Sequence, residues 1–321
     1  MSLSRFSLRR AAAKQESGLL AANIVLFGVM AFTASGFVST ANFRSTAALA
    51  AYTGIMSAFA TLVLISGGLD LSVGAVAVLA GQACALALHA GWSTAAAIGA
   101  ALGVGAGVGT LNCIFVVGLG INPLIATIGT AFVFRGLGLA WTNGSSTIID
   151  DQTVLNFGSA LWFGVPEGTY LMAAAFLLVW LIFRFTRLGS NLYAVGSNPT
   201  AARRAGLRVW RIQSTAYLLS AVSAAFAGLL LIGFQGASIP YAAAGIELTV
   251  LSAVVLGGTG LQGGSGSVVG TLLGVILLAV LAAGLLALQA PAYWQLIATG
   301  GVLIVAMTID DVRRRRREVR G

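Results

Sequence analysis

Charged side chains are scarce in this 321-residue chain: they occupy 8% of positions, against about a quarter in an ordinary water-soluble domain. Hydrophobic residues fill 58%. That balance excludes a water-bathed globule and makes lipid the main solvent. One histidine, His89, stands alone, and the two cysteines, Cys84 and Cys113, lie in separate apolar runs. Zinc spacing and a disulfide framework are therefore excluded, and no metal or other cofactor is implied. The single lysine, Lys14, sits near the N-terminus, so there is no GxxxxGK[ST] phosphate loop, and any ATP must be bound by another polypeptide. HExxH is missing, as is a Gly-x-Ser-x-Gly with a plausible histidine partner. No carboxylate pair lies inside an apolar run, so an integral-membrane enzyme has no catalytic group to work with.

What the chain does have is a succession of apolar runs, each close to the roughly 20 residues that cross a bilayer as a helix. On that ruler the spans fall near 18–38, 46–66, 71–90, 93–117, 122–140, 169–187, 212–234, 247–261, 265–288 and 291–308. The expected fold is all-α: a polytopic helical bundle of about ten spans, with an arm 1–17, a membrane domain 18–308 and a basic tail 309–321. The first run lacks a small-residue cleavage site and reads as a retained helix. The eighth is short and ends in Gly257-Gly258-Thr259-Gly260, which leaves open a half-helix that re-enters or breaks. Asn122-Pro123 and Pro291 mark helix starts, where proline loses no hydrogen bond.

The formal charge of +9 does not point to nucleic acid, because the basic residues cluster at the chain ends and in short loops rather than on one face. It reports topology instead. With ten spans both termini share a side, and placing them in the cytoplasm puts sixteen of the eighteen Lys and Arg there, leaving only Arg44 and Arg135. The 42 glycines point to close helix packing, with four-residue steps at Gly99, Gly103 and Gly107, at Gly105 and Gly109, and at Gly270 and Gly274.

Two carboxylates fall in or beside spans, where ionisable groups are expensive. Asp70 is expected at the cytoplasmic join of the second and third spans, capping the third helix. Glu247 is expected to open the eighth at the outer face. Arg135, near the outer end of the fifth span, reads as a snorkelling anchor, with a solute contact as the alternative. The polar residues Gln82, Asn112, Thr127, Thr130 and Asn143 are candidate lining groups of a pathway, or else hydrogen bonds between helices. In the cytoplasmic loop 188–211, Asn198 is a good N-cap and Pro199 suits the first turn. Thr200, Ala201, Ala202, Arg203 and Arg204 continue a short helix that Gly206 can close. Its length suits insertion into a partner's groove better than binding to membrane lipid.

Four blocks, LISGGLDLSVGAVAVLAG (64–81), NPLIATIGTAFVFRGLG (122–138), LYAVGSNPTAARRAGLRVWRIQSTAYLLSA (192–221) and AAGIELTVLSAVVLGGTGLQGGSGSVVGTLLG (243–274), resemble the ribose/xylose-type permeases of bacterial ABC sugar importers. They lie in the same order, and the likeness covers nearly the whole chain. It implies a permease in the inner membrane with a cytoplasmic ABC ATPase, a periplasmic or lipid-anchored sugar-binding protein and a second permease copy as partners. The 198–206 helix would then couple ATP hydrolysis to alternating access. The same likeness singles out Gly67, Gly68, Asp70, Ser72, Gly74, Glu247, Gly257 and Gly258 as motif positions. One departure is Thr249, where the family pattern has Asp. The two glycine pairs, both expected at cytoplasmic joins, fit remote duplicates of one half. A stand-alone secondary carrier or channel for a small polar solute is the other class open to such a chain.

Overall fold

The structure, a computed structural model, describes residues 2–318, and the side chains of residues 16–291 and 293–308. In chain order the elements are α1 (Ser2–Thr33), α2 (Thr40–Ile65), α3 (Val73–His89) and α4 (Thr94–Asn112), which runs into a π-helical turn at Cys113–Gly118. Next come α5 (Pro123–Thr142), β1 (Thr147–Ile148), α6 (Gln152–Asn156), β2 (Leu161–Trp162) and β3 (Val165–Pro166). The chain continues through α7 (Glu167–Phe185), α8 (Arg187–Ser197), α9 (Pro199–Arg204), α10 (Val209–Gln235), β4 (Ala237–Ser238), α11 (Ile246–Leu256), α12 (Val268–Ala287) and α13 (Ala292–Glu318). The fold is an all-α polytopic membrane bundle. Among the described residues seven helices are long and apolar enough to cross a bilayer, and the remaining expected spans hold the shorter apolar stretches Val73–His89, Ile246–Leu256 and Tyr293–Thr308.

Long helices α2 and α10 lie against each other at the centre and are the most buried of the long spans. Around α10 pack α3 and α4, and α5 packs on α3; around α2 pack α7, α11 and α12, with α1 on α12 and α13 on α11. Gly105 and Gly109 seat α4 directly on Ala221 and Ala225 of α10, and Gly270 and Gly274 seat α12 on the backbone of α11. The third glycine series behaves differently: Gly99, Gly103 and Gly107 meet nothing among the described residues, so within this chain they are not the close-packing face that their spacing suggests. At the end of the bundle opposite α9, β1 pairs antiparallel with β4 and β2 with β3, small clasps for which sequence periodicity offered no signal.

Helix α2 stops at Ile65, and the next seven residues are not helical. Gly67 adopts φ +82°, a conformation open to glycine at little cost, and the chain then climbs alongside α10. Gln213 donates to the Ser66 carbonyl at 3.3 Å, the Tyr217 hydroxyl meets the Leu69 N–H and carbonyl at 3.2 Å each, and Ser220 donates to Asp70 at 2.9 Å. Ser220 is the twelfth of 27 residues in α10, roughly 16 Å from its start at about 1.5 Å per residue. Asp70 therefore lies at mid-depth and not at the cytoplasmic join expected for it. The sequence reading missed this because an apolar run says nothing about how far a break travels before the helix resumes.

A mirrored break precedes α11. From β4 the chain turns inward, Gly245 takes φ +84°, and α11 begins inside the bundle. Glu247, in its first turn, reaches Arg135, the thirteenth of 20 residues in α5. Glu247 is thus at mid-depth and not at the outer face, and the short eighth span is a half-helix entered from within. Unwound backbone at such depth survives only where protein satisfies it; here Tyr217, Thr127 and Asp70 bond the backbone of Leu69, Leu71 and Ser72.

Candidate functional site

Helices α3 and α11 begin at the same depth and run in opposite directions, an arrangement that in other transporters places binding groups at the membrane midplane. The polar residues gathered there form two groups with different hydrogen-bond economies.

The first group is saturated. Asp70, 5% exposed, accepts from the Ser72 N–H at 3.0 Å and the Ser72 hydroxyl at 2.6 Å on Oδ1, and from Ser220 on Oδ2. Ser72 in turn accepts from Asn112 at 2.8 Å, and Asn112 Oδ1 accepts from Thr130 at 2.9 Å. Thr127 accepts from the Leu71 N–H at 3.1 Å and donates back to the Pro123 carbonyl at 2.8 Å. One chain of bonds therefore ties α10, the unwound segment, α3, α4 and α5. Asp70 does not cap the first turn of α3 itself. Ser72 is the N-cap residue, and Asp70 holds Ser72. The π-helical turn that follows Asn112 is the kind of irregularity that recurs at functional positions.

The second group keeps free capacity. Arg135 Nη2 donates to both carboxylate oxygens of Glu247 at 2.8 Å, the one ion pair among the described residues. The two side chains are 30% and 13% exposed. The paired arginine is therefore not a snorkelling anchor. Glu247 rests against Gly74 of α3, where a Cβ would collide with its carboxylate. One turn along α5, Gly138 leaves the space that the amide of Gln82 fills. Gln82 is 1% exposed, and among the described residues neither its Oε1 nor its Nε2 has a partner. Asn143 stands apart from both groups: it is exposed and closes α5 in the left-handed conformation at φ 50°. Thr249 turns away from the ion pair to line a separate cavity of about 390 Å³ between α2, α11, α12 and α13, so an Asp at that position would face the cavity.

At the α9 end the loop 188–211 is more ordered than its composition suggests, because α8 fills its first half. Leu192 and Val195 of α8 are buried, and Tyr193 donates to the Gly266 carbonyl at 2.8 Å. Burial raises the Tyr193 phenol to about 12. Helix α9 follows after a sharp turn: Asn198 accepts the Ala201 N–H at 2.9 Å, Pro199 takes the first position, and Gly206, at φ +81°, ends the motif while the Leu207 N–H returns to the Ala202 carbonyl. Ala202 is buried; Thr200, Ala201, Arg203 and Arg204 face outward.

The root of α9 is pinned by bare backbone. Gly196 leaves no room for a Cβ between the Ile65 carbonyl and Gly264, Gly263 lies against Gly67, and the Gly264 N–H donates to the Ile65 carbonyl at 2.9 Å. Three segments, the end of α2, the end of α8 and the glycine loop between α11 and α12, thus meet in one joint. Gly67 belongs to this joint, and Gly68 lies one residue above it against Tyr217. Gly257 is occupied elsewhere, packed on Gly270 and Thr271. Gly258 takes φ +92° in the turn after α11.

Residues 42–307 match the family described as branched-chain amino acid transport system / permease component. The ribose import permease protein of Escherichia coli (strain K12) is 33% identical over 303 residues, covering 93% of this chain and 94% of that protein. The L-arabinose ABC transporter permease protein of Azospirillum brasilense is 30% identical over 301 residues, 94% of this chain and 89% of that protein. The ribose import permease protein of Bacillus subtilis (strain 168) is 32% identical over 298 residues, 92% of each. No solved structure matches.

Proposed function

We propose, because this chain belongs to the branched-chain amino acid transport system / permease component family, that it is the inner-membrane, multi-pass permease subunit of an ATP-binding-cassette importer for a monosaccharide or related polyol. The observation that carries the proposal is likeness along more than nine-tenths of the chain to permeases named for ribose and L-arabinose. The solute crosses by alternating access. ATP is hydrolysed by a cytoplasmic ATPase, since the chain has no phosphate loop of its own. A periplasmic or lipid-anchored binding protein delivers the sugar, and a second copy of this chain completes the membrane part.

In this reading α9 is the coupling helix. Its outward residues, Thr200, Ala201, Arg203 and Arg204, enter a cleft of the ATPase, while Asn198, Pro199 and Gly206 fix its ends. The glycine joint supports the assignment, because a push on α9 has no side chain to flex before it reaches α2 and the loop between α11 and α12. Both termini and α9 lie in the cytoplasm in this reading, which the distribution of Lys and Arg supports. The saturated group of Asp70, Ser72, Asn112, Thr127 and Thr130 holds the broken third helix beside the pathway.

The test is reconstitution in liposomes. Uptake of D-ribose, L-arabinose or D-allose should require this chain, the ATPase, ATP and the loaded binding protein together. Robust flux through the chain alone under an ion gradient would identify a secondary carrier and overturn the importer reading.

A further inference from the structure

We propose that the Arg135–Glu247 pair and the Gln82 amide are the groups that hydrogen-bond the solute at mid-depth, and that the net neutrality of this trio favours uncharged polyhydroxy solutes over acidic or basic ones. The inference rests on the importer reading and adds to it the residues that set specificity.

Unused hydrogen-bonding capacity separates these three residues from their neighbours. Arg135 commits one nitrogen, Nη2, to Glu247. Among the described residues its Nε and Nη1 donate to nothing, though a guanidinium carries five N–H donors. Among the described residues the Glu247 carboxylate accepts from Arg135 alone and keeps lone pairs free. Gln82 is the sharpest case: a primary amide 1% exposed has neither donor nor acceptor matched, and a buried polar group left so is costly. The saturated group below offers no such capacity, since Asn112, Ser72 and Asp70 are bonded to one another.

Position makes the same point. Arg135, Gly138 and Thr142 follow at three- and four-residue steps on α5, so the fork and the amide lie on one seam between α5 and α3, about one helical turn apart. A charged fork 30% exposed at mid-depth is expensive against hydrocarbon, which favours a polar solute or water on its open side. A fork, a carboxylate and an amide together present donors and acceptors to a ring of hydroxyls. A site built to bond hydroxyls discriminates strongly against analogues that lack one.

The experiment uses the complete importer in proteoliposomes. Replacing both charges, Arg135→Met with Glu247→Met, should lower uptake of the sugar that the wild type carries by more than about a hundred-fold, the loss expected for two charge-assisted bonds. Gln82→Leu should raise KM by about ten-fold and flatten the preference for the sugar over its deoxy analogue, a change that a packing role would not produce. Gly138→Ala should reproduce the Gln82→Leu profile, because the added methyl displaces the amide. As a fold-independent readout, Gln82→Cys in a Cys84→Ala, Cys113→Ser background, closed off in the state described, should react with a water-soluble thiol reagent during ATP-driven turnover, and D-ribose, L-arabinose or D-allose, whichever is carried, should slow that reaction. Variants with wild-type uptake and selectivity, or a Cys at 82 whose labelling the carried sugar does not slow, overturn the inference. A wild-type importer that consumes ATP yet takes up none of the three sugars instead overturns the importer reading, and this inference falls with it.

Discussion

The joint at the root of α9 and the seam at mid-depth meet opposite demands with opposite chemistry. At the joint, Gly196, Gly263, Gly264 and Gly67 bring three backbones into contact with no charge and little side chain between them. At the seam, Arg135, Glu247 and Gln82 hold polar side chains with capacity to spare. Bare backbone is stiff and transmits a displacement, because close-packed interiors do not deform continuously. Side chains on a seam can exchange partners as a solute passes. Between the two regions lies the unwound segment 66–72, bonded to α10 at Ser66, Leu69 and Asp70, which makes it the physical link from one to the other.

The hardest way to break this comparison is to put a side chain into the joint. Gly196→Leu has no flexible neighbour to displace, only the Ile65 carbonyl and the Gly264 backbone. Sugar uptake should be abolished, and the melting transition of the purified chain should drop by an amount matching about 3 kcal/mol, the upper range for overpacking. Wild-type uptake in this variant would show that the joint yields and transmits nothing.

Next in size is reversal of the charge on α9. Arg203→Glu with Arg204→Glu places four units of charge change on an exposed face that no described residue pairs with. Co-purification with the ATPase should fall by more than about ten-fold, while the melting transition of the chain alone stays where it was. If ATPase binding persists, α9 is not the coupling helix and the joint lies at the root of some other structure.

A smaller effect is expected at the link. Asp70→Asn keeps the shape but turns one acceptor into a donor aimed at Ser72 or Ser220, both of which now donate to it. Loss of about 1–3 kcal/mol of stability follows from the mismatched bond, readable as a lowered melting transition with ATPase binding intact. An unchanged transition would mean that the saturated group is ornamental and that α3 is held by packing alone.

These expectations could be framed only in part from sequence. The caps at Asn122-Pro123 and Asn198-Pro199, and the existence of an apolar helix in each of the ten runs, were legible because capping and hydropathy are local. Depth was not. The residues around Asp70 read as a cytoplasmic join between two spans, and only the ladder of contacts to Gln213, Tyr217 and Ser220 shows that the join is stretched into the middle of the bundle. The Arg135–Glu247 pair joins residues 112 positions apart, so each charge on its own suggested a local role. Helix α8 escaped notice because the polar residues and glycines in 187–197 mimic a loop, whereas buried Leu192 and Val195 anchor it to the bundle.

The finest probe of the joint is Tyr193, which ties α8 to the glycine loop through the Gly266 carbonyl at 2.8 Å. Burial favours the neutral phenol, so its folded value, about 12, lies above the ordinary value of about 10. The neutral side chain therefore supports the fold fully below about pH 10, and that support is lost as pH rises from there through about 12. Tyr193→Phe removes the bond at a cost of about 1 kcal/mol at neutral pH and also removes the titration. The melting transition of the variant should start slightly lower and fall less steeply than wild type between about pH 10 and 12. Parallel curves would mean that the phenol is as free in the folded chain as in the unfolded one, and that α8 touches the loop without being tied to it.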